Sequence, residues 1–150
     1  EDPEAFRAER LAKLFEQGSF NKIYILSRPG ITEYNSTLGR NLTSDEWSLI
    51  VLKDLGIPKK AVEALTVPDG FFGTYSEAET VSHLAKEKDW QNLLLITSLH
   101  HTRRVRASFS HFLDDTEIGL WVIGSKNQAD LFEIVAEYLK LQVYTFFLFR

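Results

Sequence analysis

An α/β fold, with helices on both faces of a mostly parallel sheet, is what this sequence predicts. Three observations carry the prediction. Helical and strand patterns alternate as αβαβαβαβαβ, the order that builds parallel sheets from crossover units. The strand candidates Ile23–Leu26, Leu93–Ile96 and Ile118–Ile123 are short, nearly unbroken apolar runs, as strands covered on both faces are. The first two helical stretches open on capping signals, Asp2 and Thr43, and close on Gly18 and Gly56.

The first helix is expected over Pro3 to Gln17: Asp2 can cap it, Pro3 suits its first turn and Gly18 ends it. Phe6, Leu11, Leu14 and Phe15 form its apolar stripe, with Arg7 and Arg10 on a neighbouring face. Lys22 to Ser27 follows as a strand and ends in Ser27-Arg28-Pro29-Gly30. Residues 31–42 read as a polar loop, in which Asn35 and Asn41 each begin an N-x-T triplet, meaningful only in a eukaryotic secretory route.

Thr43 to Leu55 is the second helix, with Thr43 and Glu46 as a T-x-x-E capping box, Gly56 as its stop and Pro58 beyond it. A short strand is expected at Ala64 to Val67, then a loop from Pro68 to Gly73. The third helix, Thr74 to Lys88, opens on a second T-x-x-E pair, Thr74 and Glu77. The central strand Leu93–Ile96 leads to a helix from about His101 to Phe112. A strand over Glu117 to Gly124 precedes a fifth helix, Asn127 to Leu141, with Leu131, Ile134, Val135 and Tyr138 on one face. Val143 to Phe149 reads as an aromatic-rich strand or a partly exposed tail.

The 150 residues fit a single domain with a real core. A net charge of -4 does not predict a nucleic-acid partner, and the absence of Cys excludes disulfides, thiolate catalysis and thiolate metal sites. No apolar run has the length of a membrane span, and no signal peptide is visible. The chain begins at Glu1, contains no Met and opens on a helix with no strand before it, so a leader, anchor or first strand is expected to have been removed.

The chemistry concentrates between Asn92 and Phe109. There an apolar strand breaks at Thr97-Ser98 and delivers His100, His101, Arg103, Arg104 and Arg106 into the start of a helix. The ends of parallel strands and the N-termini of helices are where α/β proteins bind anions. His101 and Arg104 lie three apart, so they share a helical face and can meet a phosphate, carboxylate or sulfate; Arg stays charged, and His exchanges protons near neutrality. The plainer alternative has Ser98 or His100 capping the helix and the arginines solvated. Ser27 and Ser98 lack a nucleophile-elbow context. Neither a dinucleotide fingerprint nor a phosphate loop of the Walker type occurs. Adjacent His100 and His101, with His83 and His111 the remaining histidines, do not predict a metal site.

The run Gly73 to Ala78, G-T-Y-S-E-A, followed by Leu94 to Arg104, L-L-I-T-S-L-H-H-T-R-R, resembles the YdcF/SanA-like domain of unknown function, a bacterial family often linked to the cell envelope. Thr74, Glu77, Thr97, Ser98, His101 and Arg104 match its pattern; Arg7 in the first helix and Leu55 to Pro58 match further elements. The family's opening Gly-rich strand turn has no counterpart, and its Ser-Gly-Gly is here Ser27-Arg28-Pro29.

The resemblance implies a Rossmann-like three-layer αβα sandwich with a polar pocket where Arg7, Ser27, Thr74, Glu77, Thr97, Ser98, His101 and Arg104 converge. It implies an envelope location, membrane-anchored or periplasmic through a segment this chain lacks, with a cytoplasmic location as the alternative. The expected function is binding of an anionic, phosphorylated or nucleotide-like small molecule, extending to an enzyme on a phosphorylated envelope precursor. In that reading Arg7 and Arg104 hold the anion and His101 is the acid/base. Glu77 orients His101 or accepts a substrate hydroxyl, while Thr74 and Ser98 donate hydrogen bonds. Two alternatives stand beside it: a non-catalytic envelope or assembly factor in which Arg104 pairs with a carboxylate such as Glu77, and a domain holding S-adenosylmethionine as cofactor.

Overall fold

The computed structural model describes residues 3–27, 30, 32–68, 73–125 and 130–149, with the side chains of residues 3–6 outside that description. Asp2 as a cap, the Arg28-Pro29 break and the stripe position of Phe6 lie outside it, whereas the fifth helix, expected from Asn127, opens at Leu131 with extended Asp130 as its cap. The chain is mixed α/β and divides into two compact units, Asp2–Asp69 and Gly70–Arg150.

The N-terminal unit runs α1 (Pro3–Glu16), β1 (Ile23–Ser27), β2 (Thr32–Asn35), β3 (Arg40–Thr43), α2 (Ser44–Asp54) and β4 (Val62–Thr66), with a short 3-10 turn at Lys59–Ala61. β1 and β4 pair in parallel, Ile23 opposite Val62 through Ser27 opposite Thr66. Ala12, Ile23, Leu52, Ile57 and Ala61 form its core, with Leu11, Phe15 and Phe20 packed around them. Both helices end as expected from their glycines. Gly18 (φ +70°) and Gly56 (φ +84°) adopt the left-handed conformation that side chains resist. The chain then folds back: Ser19 N–H reaches the Leu14 carbonyl at 3.1 Å and Ile57 N–H reaches that of Leu52 at 2.9 Å. Ile57 and Leu52 are both core residues, the hydrophobic contact that accompanies such an end. At the other end of α2, Thr43 N–H donates to Glu46 Oε2 at 2.9 Å, completing the expected capping box.

Residues 32–42 are not a loop. β2 and β3 form an antiparallel hairpin, Thr32 opposite Thr43 and Asn35 opposite Arg40. Its turn is held by Asn35, whose Oδ1 accepts Leu38 N–H at 2.8 Å, and Leu42 is buried beneath it.

The C-terminal unit runs α3 (Gly73–Glu87), β5 (Asn92–Ser98), a 3-10 turn (Leu99–His101), α4 (Thr102–Leu113), β6 (Gly119–Ser125), α5 (Leu131–Val143) and a π-helical turn (Tyr144–Leu148). β5 and β6 pair in parallel with α4 as their crossover, Asn92 opposite Gly119 through Ser98 opposite Ser125. The single mostly parallel sheet expected from the sequence is therefore described as two parallel pairs, one in each unit, plus a hairpin. α3 packs along α4 with Ala78, Ser82, Ala85 and Ser108 at or near zero exposure, small side chains that allow close approach. Val143 to Phe149 is neither strand nor tail. Nothing between Leu131 and Phe149 breaks a helix, and the helix continues through Leu148.

Candidate functional site

The segment after β5 does not run straight into a helix. Leu99–His101 first make one 3-10 turn, and α4 begins at Thr102. Neither Ser98 nor His100 caps it; the turn is closed instead by Thr102 Oγ1 donating to the Leu99 carbonyl at 2.8 Å. The backbone of β6 must come close for this. A Cβ on Gly124 would lie 2.7 Å from Leu99 Cδ1 and 3.0 Å from its Cα. Gly124→Ala is accordingly expected to cost about 1–3 kcal/mol by overpacking, and to move the His101 ring. Urea denaturation with ring NMR signals of His101 checks this; an unchanged variant would show that the turn yields freely.

His101 and Arg104 do share one face, with Arg104 Nη2 3.3 Å from His101 Nδ1. What they face is a protein carboxylate. Arg104, 9% exposed, donates from Nε to Glu137 Oε2 at 2.6 Å and from Nη2 to Glu137 Oε1 at 3.1 Å, a bidentate clasp. Its Nη1 donates to Thr74 Oγ1. His101 Nδ1 lies 2.9 Å from Glu137 Oε2, and Lys140 Nζ lies 2.9 Å from Oε1. Four donors on two oxygens saturate Glu137, which is only 6% exposed. The guanidinium also lies 5.7 Å from the centre of the buried Tyr144 ring.

His101 Nδ1 cannot both donate to Glu137 and accept from Arg104. A carboxylate only accepts and its contact is shorter, so the proton belongs on Nδ1 and the lone pair of the neutral ring on Nε2. Burial pushes the His101 imidazole below its usual range, outweighing the hydrogen bond and charge of Glu137; His100, its ring 4.0 Å away, and Arg104 lower it further. Burial alone would raise the Glu137 carboxyl. Hydrogen bonds from Arg104, His101 and Lys140 more than reverse this and hold it at about 2.

Of the residues expected at the site, Thr74, His101 and Arg104 are brought together. Thr74 lies inside α3 with its hydroxyl turned to Arg104, not ahead of the helix as the cap of a T-x-x-E box. Glu77 sits half-buried one turn further along α3. Thr97 and Ser98 end β5, with Ser98 buried and the Thr97 carbonyl receiving Ser125 Oγ at 3.4 Å. Arg7 and Ser27 belong to the N-terminal unit; Arg7 is half-buried on α1, and Ser27 Oγ donates to Asp45 Oδ1 at 2.8 Å. The residue missed is Glu137. Its one signal was a carboxylate amid the apolar run Leu131 to Leu141, with Lys140 three residues on.

A shallow depression of about 270 Å³ lies at the other end of the strand pair, lined by Lys86, Asp89, Trp90, Gln91, Thr116 and Glu117 among others. None of the clustered site residues borders it. Among the described residues no group of three or more His, Cys, Asp or Glu is arranged to hold a metal, and no helix is long and apolar enough to cross a membrane. No family model, curated protein or solved structure gives a significant match to this chain.

Proposed function

We propose that this chain is a Rossmann-like αβα pocket protein whose polar site lies at the carboxyl ends of β5 and β6. It takes an anionic, phosphorylated or nucleotide-like small molecule, with His101 Nε2 as the acid/base group. The observation that carries the reading is the Glu137–His101 couple. A buried carboxylate that fixes a partly exposed imidazole in one tautomer is the arrangement used for proton transfer at neutral pH. The charges favour an anion: Arg104 and Lys140 together exceed Glu137 by one positive charge while His101 is neutral. The resemblance to the YdcF/SanA-like family adds the substrate class, a phosphorylated envelope precursor, and the envelope location.

In this reading Arg104 positions Glu137, to which its Nε and Nη2 donate while its Nη1 donates to Thr74. The same observation favours the second reading, a non-catalytic protein in which this cluster fastens α3, α4 and α5 together.

A thermal-shift screen against sugar phosphates, nucleotides and polyprenyl phosphate analogues separates the two. His101→Ala is the useful variant, since it removes the acid/base group and leaves the Arg104–Glu137 pair intact. A ligand at 100-fold its Kd should stabilise the wild type by about 2.7 kcal/mol, roughly 5–10 °C for a chain of this size. His101→Ala should lose most of that shift. No shift with any class would favour the fastening role.

A further inference from the structure

Helix α5 carries its polarity inside out. Its carboxylate Glu137 is buried, while Leu131, Phe132, Val135, Leu139, Phe146 and Phe147 point outward, with Leu131, Phe132 and Phe147 each at least 75% exposed. At 100° per residue the four α-helical positions among them, Leu131, Phe132, Val135 and Leu139, fall on one arc of about 100°, and Phe146 and Phe147 are exposed on the π-helical turn that continues the helix. Taking roughly 150–250 Å² for each aromatic side chain, and somewhat less for the aliphatic ones, they expose on the order of 800 Å² of apolar surface. The largest patch on a typical monomer is roughly 300–600 Å², and each partner of a standard protein interface buries roughly 800 Å².

The geometry points to a second copy of this chain as the occupant, α5 packing antiparallel on α5 about a two-fold axis. Such an interface must be self-complementary, and the charges beside this face are. Glu133 and Lys140 are both exposed, two turns apart on one edge of α5. An antiparallel crossing centred between Val135 and Tyr138 sets Glu133 of each copy beside Lys140 of the other, twice. Both have capacity left: Glu133 Oε2 is occupied by the Asp130 N–H at 3.1 Å, leaving Oε1, and Lys140 uses one proton on Glu137. A lipid surface fits the charges less well. Interfacial helices carry a Lys- and Arg-rich polar face. Here Lys140 stands against Asp130, Glu133 and Glu137, in a chain of net charge -4.

Sedimentation velocity at about 100 µM, well above the micromolar Kd of weak interfaces of this size, reads the answer on the wild type, Leu139→Glu and Phe132→Glu. Each substitution falls on an exposed position, and circular dichroism confirms that the fold is kept. The expected result is a wild-type species of twice 17.2 kDa and monomeric variants. The second variant keeps the test decisive if the first fails to fold. A monomeric wild type overturns the proposal, as does a dimer that survives in a folded variant. A monomeric wild type that cosediments with phosphatidylethanolamine–phosphatidylglycerol vesicles overturns it in favour of lipid.

Discussion

Glu137→Ala should destabilise the C-terminal unit by about 3–5 kcal/mol, the range for breaking a buried ion pair from one side. For a chain of this size that is a fall in Tm of roughly 10 °C. The cause is less the lost attraction than what stays behind: Arg104, buried at 9% exposure, keeps its charge and loses both of its hydrogen bonds to Glu137, from Nε and from Nη2. Glu137→Gln keeps the volume but not the charge and should fall between wild type and alanine. The double variant Arg104→Met with Glu137→Leu should recover most of the loss, because well-packed apolar replacements of buried pairs are near neutral or stabilising. It should recover none of the orientation of His101. Urea denaturation of the four proteins decides the matter. An alanine variant within about 1 kcal/mol of wild type would mean that Arg104 finds other partners cheaply, since a stranded buried charge costs more than that.

The same cluster shows what sequence alone conveyed. His101 and Arg104 were legible as partners because helical spacing is local; three residues apart is a shared face whatever surrounds it. Thr74 entered through motif resemblance, and its hydroxyl does meet Arg104. Glu137 was illegible because it lies 33 residues from Arg104 on another element. The pattern around it also argued the wrong way: Leu131, Ile134, Val135 and Tyr138 form an apolar stripe, which periodicity assigns to a core, yet all four are exposed. Periodicity finds the apolar face of a helix but not the direction it points. The hairpin was missed for another reason. Thr32–Asn35 and Arg40–Thr43 are only four residues each and largely polar, and their pairing rests on backbone bonds and the Asn35 turn. Tyr144 to Leu148 was misread because aromatic residues favour strands intrinsically, whereas an unbroken helix before them imposed its own course.

Acid should weaken the protein in two stages, and the first stage tests the protonation state on which the proposed chemistry depends. The Glu137 carboxyl is held at about 2 against an ordinary 4.5, so as pH falls below 4.5 the unfolded chain takes the proton first. Its stabilisation is complete above about pH 4.5 and disappears between there and pH 2, about 3 kcal/mol at about 1.4 kcal/mol per unit. The His101 imidazole is lowered from 6.5, so here too the unfolded chain protonates first and stability falls as pH drops through 6.5. Had the charge of Glu137 won over burial, the imidazole would be raised instead, and stability would grow over the same interval. The difference in urea midpoint between wild type and His101→Gln, followed from pH 8 to pH 5, isolates this slope. A declining difference means a neutral ring at pH 7 with Nε2 open to accept a proton, as a general base requires. A rising difference means an imidazolium locked to Glu137, which would fit the fastening role and remove the base from the proposed reaction.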